Sequence, residues 1–250
     1  MPRLSPFQLA AACALALVVS LIPISAASAK GVSADLRVVG KGGKALGEGT
    51  FSTGTVSVKT SKSATCFGAG TGGSGMSVTI PGATAMGLLV SAAKTTPTLR
   101  PVSLTDAFSF GLGLCGIGNS VVSGKKASWY LKVNHKAQQV GGDSVKLKPG
   151  DEVLWDLASS YPYPNELALE VPASAEANVA FQVTVVSYDE KGKRKPVSGA
   201  TVTGASGPTD SQGHATVTLA APSLLRATHG KEIPSAAEPV CIAAICPSGS

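Results

Sequence analysis

Apolar and polar residues alternate along most of this chain beyond residue 30, and helical spacing interrupts the alternation once. Residues 33–39 (SADLRVV) and 51–59 (FSTGTVSVK) have the period of half-buried strands, and the Gly-rich stretch 40–49 between them makes them an opening hairpin. A loop over 63–75 leads to a short strand at 76–80. Pro81-Gly82 then opens a helix over 84–93, where Ala85, Leu88, Leu89 and Ala92 fall at i, i+3, i+4 and i+7. Such a stripe requires a sheet to bury against. The period returns to two at 103–110, and strands are predicted at 128–134, 143–147 and 152–157, with Lys148-Pro149-Gly150-Asp151 as a tight turn between the last two. Beyond a Pro- and Tyr-containing connector the pattern is β alone. Residues 180–188, 200–203, 214–219 and 223–228 read as strands spaced by turn residues, which predicts a small sandwich.

The first 29 residues do not fit this scheme and have the plan of a secretory signal peptide. Arg3 supplies a positive start, residues 9–24 an apolar run broken by Pro23, and Ala27-Ser28-Ala29 a small-residue cleavage site. The apolar run is short for a membrane span and lacks a charged far flank, so cleavage rather than anchoring is expected. The predicted division is therefore a signal peptide at 1–29, an α+β domain with a β-grasp-like sheet and one helix at 30–158, a linker at 159–172, an all-β Ig-like or transthyretin-like sandwich at 173–246 and a tail at 247–250. A secreted or extracellular location follows, with surface association open: the C-terminal Pro247-Ser248-Gly249-Ser250 has no LPxTG-type sorting signal.

Composition agrees with many short strands. The chain has 29 Gly and 16 Pro, and only 14% of its residues are charged. Loss of Arg3 leaves 20 Lys and Arg against 15 Asp and Glu, a net charge of +5 (20 − 15) spread thinly along the chain. The one dense basic cluster, Lys191, Lys193, Arg194 and Lys195, follows Asp189-Glu190 and reads as a solvated hairpin tip, so no nucleic-acid partner is expected. Cys13 departs with the leader. Cys66, Cys115, Cys241 and Cys246 remain and allow three pairings, of which Cys66–Cys115 with Cys241–Cys246 is the expected one in an oxidising compartment.

Residues 127–157 (ASWYLKVNHKAQQVGGDSVKLKPGDEVLWDL) carry the most specific motif. With Trp129, Tyr130, Asn134, Gly141 or Gly142, Leu147, Gly150, Asp151, Val153 and Trp155 they resemble the C-terminal β-domain of cobalamin carriers such as transcobalamin and intrinsic factor, and a related domain of unknown function in secreted bacterial proteins. The opening hairpin, Cys66, the helix and the strand near Cys115 extend the resemblance over about 125 residues. Residues 181–233 resemble carboxypeptidase-regulatory or transthyretin-like sandwiches of surface proteins, through Pro196–Val202, Thr209–Ala215 and Leu225–Thr228. The first resemblance implies a ligand-facing aromatic surface. Trp129 and Tyr130 are adjacent and must face opposite sides of a strand, one in the core and one exposed. With Asn134 and His135 they form the candidate ligand-binding set. Trp155, alternating with Val153, is expected in the core, and Asp151 is expected to bond backbone N–H groups of its turn.

Catalytic signatures are weak. Two GxGxxG matches, at 70–75 and 111–116, do not open helices, and the SxxK matches at 91–94 and 123–126 lack their partner motifs. His135, His214 and His229 are scattered and no CxxC occurs, which disfavours zinc. The resulting expectation is a secreted, non-catalytic binding or adhesion protein with no cofactor and no metal, whose partner is an extracellular ligand or a cell-surface component. The alternatives are a corrinoid-like small-molecule carrier, weakened by the missing helical half of the carrier site, and a hydrolase of extracellular polymer.

Overall fold

A computed structural model describes residues 31–122, 127–243 and 245–247. The predicted signal peptide at 1–29 and the SxxK match at 123–126 lie outside the described residues. Among the described residues strands dominate, and the single α-helix lies where the apolar stripe predicts it.

The first strands are β1 (Val32–Val39) and β2 (Ala45–Thr53), followed by β3 (Val56–Lys59) and β4 (Ser77–Ile80). Helix α1 (Ala85–Thr95) leads to β5 (Val102–Phe108), β6 (Gly111–Ile117) and β7 (Ser120–Val121), then β8 (Ser128–Val133), β9 (Lys136–Ala137) and β10 (Glu152–Ala158). The main sheet runs β2-β1-β10-β8-β9, with β1 and β10 parallel at its centre and antiparallel neighbours outside them. The pairs β3-β4 and β5-β6-β7 form two small further sheets. Helix α1 lies on β1, β2 and β3 and is buried nearly all round, since Met86, Val90 and Ala93 join the predicted stripe in the core. Thr84 caps it by accepting from Gly87 N at 3.0 Å.

Two stretches depart from the expected pattern. Residues 51–59 form the end of β2 and the whole of β3, separated at Gly54, rather than one strand. Residues 143–147 make one isolated bridge, Lys146 to Thr84, and no strand. Their backbone serves the helix instead: Ala85 N donates to Val145 O at 3.0 Å and Met86 N to Gly142 O at 2.9 Å. Two of the N–H groups that a helix start leaves without partners are satisfied there.

The remaining strands are β11 (Glu166–Glu170), β12 (Ser174–Ala175), β13 (Ala180–Tyr188), β14 (Arg194–Pro196), β15 (Thr201–Val202), β16 (His214–Thr218), β17 (Ser223–Leu225), β18 (Ala227–Thr228) and β19 (Glu238–Ile242). Strand β13 carries β11 along one edge and β14 and β16 in succession along the other. A second sheet runs β12-β19-β17, and β15 pairs with β18. The stretch read as a connector thus contributes β11, which sends Leu167 and Leu169 into the core. The predicted strand 223–228 is interrupted at Arg226, whose guanidinium crosses to Glu48 of β2.

Buried side chains gather in two large clusters. One fills the space between α1 and the main sheet, and the other lies among the strands from β11 to β19. A smaller cluster of Val39, Tyr130, Leu154, Ala158 and Ile233 joins them on the sheet face opposite the helix. The two disulfides are Cys66–Cys115, with Cα atoms 5.5 Å apart, and Cys241–Cys246, at 4.1 Å, matching the expected pairing. No described helix is long and apolar enough to cross a membrane.

Candidate functional site

Alternation along β8 divides the predicted site residues between two places. Trp129 and Leu131 point to the helix-side core, while Tyr130 and Lys132 point to the opposite face. Neither aromatic is fully exposed, a correction to the expectation that one would be. Trp129 is half-buried, and Tyr130 is buried and stacked on Tyr163 with ring centroids 4.0 Å apart.

Asn134 is exposed, and its side chain ties two turns together. It has a φ of +49° in the β8–β9 turn, and its side chain donates to Asp151 Oδ1 and accepts from Glu152 N, each at 2.9 Å. Asp151 also accepts from Lys148 N at 2.7 Å, the structural role expected of it. Gly150 has a φ of +79°, as its tight turn requires. His135 stacks face to face on Tyr188 at 3.8 Å and stands 3.3 Å from Glu166 Oε2 and 3.4 Å from Glu152 Oε2.

His135 therefore belongs to an ionic layer between the main sheet and the strands that follow it. Glu166, whose side chain is 4% exposed, meets Arg37 in an ion pair and Lys132 Nζ at 3.3 Å. Arg37 also donates to Pro234 O, and Lys132 Nζ to Tyr188 O at 3.1 Å. Burial alone raises the Glu166 pKa, but His135, Arg37 and Lys132 together hold it below the ordinary carboxylate value. Burial lowers the Lys132 pKa despite the pull of Glu166. Asp156, on the same face, is pushed up to about 7 by burial that Arg37 only partly offsets. A crevice of about 690 Å³ opens beside this layer, with Asp35, Glu48, Glu152 and Glu238 on its walls. Burial and the nearby Glu152 raise the Glu238 pKa. Among the described residues no cluster has the make-up of a metal site.

A larger concavity lies elsewhere. A groove of about 970 Å³ runs along the helix-side edge of the main sheet, lined by Phe67, Phe108, Phe110, Trp129, Trp155 and Tyr163 together with Gln138 and Gln139. Two glycines make room for its rings. A Cβ on Gly113 would stand 2.6 Å from the Phe67 ring, and one on Gly142 2.6 Å from the Trp155 indole. The Cys66–Cys115 disulfide anchors the loop that carries Phe67. Phe108 meets Phe67 edge-on at 5.3 Å and stacks on Phe110 at 5.0 Å, and Phe110 stays 77% exposed. No charged side chain is among the described residues lining this groove. Sequence reasoning found Trp129 but missed the phenylalanines. Their one signal was the placing of large apolar residues in Gly-rich loops beside a cysteine.

No family model matches this sequence, and no curated protein matches it.

Proposed function

We propose that the chain is an exported, non-catalytic binding protein whose ligand lies in the aromatic groove of the helix-bearing region. The observation that carries this reading is the separation, among the described residues, of an aromatic groove from the buried ionic layer. The groove offers ring faces and amides, whereas the titratable groups with displaced pKa values at the sheet's other face are tied to one another. A binding surface needs the first; acid–base chemistry needs the second in the open. Two disulfides and the leader-like first 29 residues support export.

The architecture supports the same reading. A sheet ordered β2-β1-β10-β8 with parallel central strands and one crossing helix has the order of a β-grasp-like fold, as the resemblance to cobalamin-carrier β-domains implies. The strands from β11 to β19 enclose one apolar core, which supports an Ig-like or transthyretin-like sandwich at 173–246, with β11 added to it, as a spacer or second contact surface.

The test is retention of the purified mature protein on intact cells or wall fragments of the native source, for wild type and for Phe110→Ala. Retention by the wild type and its loss in the variant are expected; equal retention of both removes the groove from the function. A corrinoid carrier is the second reading, favoured by Trp129 standing in a concavity large enough for a planar ligand. It predicts visible absorbance in protein isolated from its native source, and colourless protein defeats it.

A further inference from the structure

We propose that the Cys241–Cys246 disulfide is a thiol–disulfide exchange site that straps the wall of the crevice beside the ionic layer, and that its partner is an extracytoplasmic dithiol reductant. The inference goes beyond the groove reading and does not depend on it. Access to sulfur is the first observation. Cys246 is exposed and Cys241 half-buried, whereas Cys115, inside β6, is 2% exposed and Cys66 is half-buried. Of the two disulfides only this one includes an exposed cysteine, and exchange requires an attacking thiolate to reach a sulfur.

The fold is also built to outlive the bond. Losing a cross-link between residues 5 positions apart should cost the folding equilibrium roughly 20–30-fold less than losing one across 49 positions, on the chain-entropy scale. Two reciprocal backbone hydrogen bonds, Ile242 N to Ile245 O at 2.8 Å and Ile245 N to Ile242 O at 2.9 Å, close the same turn without the sulfurs. Ile242 is 5% exposed in the core of the later strands, and Cys241 N donates to Ala173 O at 3.1 Å. The two thiols of the open form therefore stay near enough to pair again.

The third observation is where the bridge stands. Cys241, Cys246 and Pro247 are on the wall of the 690 Å³ crevice that also has Arg37, His135 and Glu166 on it. No hydrogen bond joins Cys246 or Pro247 to another described residue, so the sulfur bridge and the turn before it hold this part of the wall. Opening the bridge frees Cys246 and Pro247 and widens the approach to His135, whose side chain is 22% exposed.

The exchange balances without any further reactant. A thiolate of the reductant attacks Cys246 Sγ, the S–S bond breaks, and its electron pair leaves on Cys241 Sγ, which takes a proton. The second thiolate of the reductant then attacks its own sulfur in the mixed disulfide and releases Cys246, which is protonated in turn. The protein gains two electrons as a dithiol, and the reductant becomes a disulfide.

The experiment treats the mature secreted protein with graded dithiothreitol under native conditions, quenches with N-ethylmaleimide and maps the labelled cysteines by peptide mass. Cys241 and Cys246 are expected to label at least about tenfold faster than Cys66 and Cys115. Equal rates, or earlier labelling of Cys66 and Cys115, overturn the exchange site. In the selectively reduced protein, modification of His135 by diethyl pyrocarbonate should quicken at least about threefold and return to its starting rate after reoxidation with oxidised glutathione. His214 and His229, away from this crevice, serve as references and should not change. An unchanged His135 rate overturns the strap, and so does a rise shared by all three histidines, which reports general unfolding. The double variant Cys241→Ser/Cys246→Ser should have the fast His135 rate without reductant; the slow rate in the folded variant also overturns the strap, and the wild-type comparison decides by itself where the variant does not fold.

Discussion

The main sheet has two faces, and they are buried by opposite means. On one, Leu36, Val38, Leu131, Val133, Val153 and Trp155 meet helix α1 in an apolar core. On the other, Arg37, Lys132 and Asp156, the intervening residues of the same strands, are covered by the strands beyond residue 165 through the Glu166 layer. The first face gains from removing apolar area from water and tolerates any snug apolar partner. The second must pair each charge it desolvates, so it accepts one arrangement of partners. Lys132, with a side chain 1% exposed, shows how strict this is: Glu166 and the Tyr188 carbonyl are its partners. A sheet with one apolar and one ionic face therefore gains most of its stability from the helix side and a defined orientation from the other.

The comparison is tested most severely at Glu166. Glu166→Ala leaves Arg37 and Lys132 buried without their carboxylate and should destabilise the protein by about 3–5 kcal/mol in urea unfolding. A loss under about 1 kcal/mol would mean that the layer is hydrated and contributes little. On the apolar face, Leu88→Ala removes a fully buried side chain and should cost about 3 kcal/mol, without the change in salt dependence expected of Glu166→Ala.

Asp156 gives the two faces different pH responses. Its folded-state pKa of about 7 lies above the ordinary 3.8, so the folded form binds the proton more tightly than the unfolded chain. Its contribution is complete below pH 4 and is lost as pH rises towards and through 7, with roughly 2–3 kcal/mol of the loss falling between pH 5 and 8. Asp156→Asn should remove that decline, so the variant gains on wild type between pH 5 and 8 in thermal melts. Parallel melting curves at both pH values would show Asp156 to be solvated. The smallest effect is expected at His135, where His135→Ala loses the Tyr188 stack and its contacts with Glu166 and Glu152, about 1 kcal/mol. A loss as large as that of Glu166→Ala would place His135 inside the ionic core.

Local patterning carried a good part of the fold. Alternation placed β1, β8, β10 and β13 within a residue or two of their ends, and the 3.6-residue period placed α1. An even cysteine count pointed to disulfides, and of the three pairings it allows the expected one is observed. The 143–147 stretch misled for a physical reason. Val145 and Leu147 alternate with Lys146 and are buried, but they are buried beside a helix start that uses their backbone, so no strand partner is needed. The candidate site was half legible. Trp129 stood out as an aromatic in a strand motif, whereas Phe67, Phe108 and Phe110 come together only through a disulfide, a β-hairpin and space left by Gly113.

By itself the sequence determined most of the longer strands, which of their positions are apolar, where the helix lies and which turn needs a glycine, because these depend on spacing and local sterics over a few residues. Arg37, Lys132 and Asp156 occupy polar positions of those strands, and spacing alone says nothing of what covers them. That this polar surface is buried, with Glu166 at its centre, was decided by tertiary structure alone. The groups come from positions 37, 132, 156 and 166, and a charge's cost or benefit depends on whether water or another chain segment covers it.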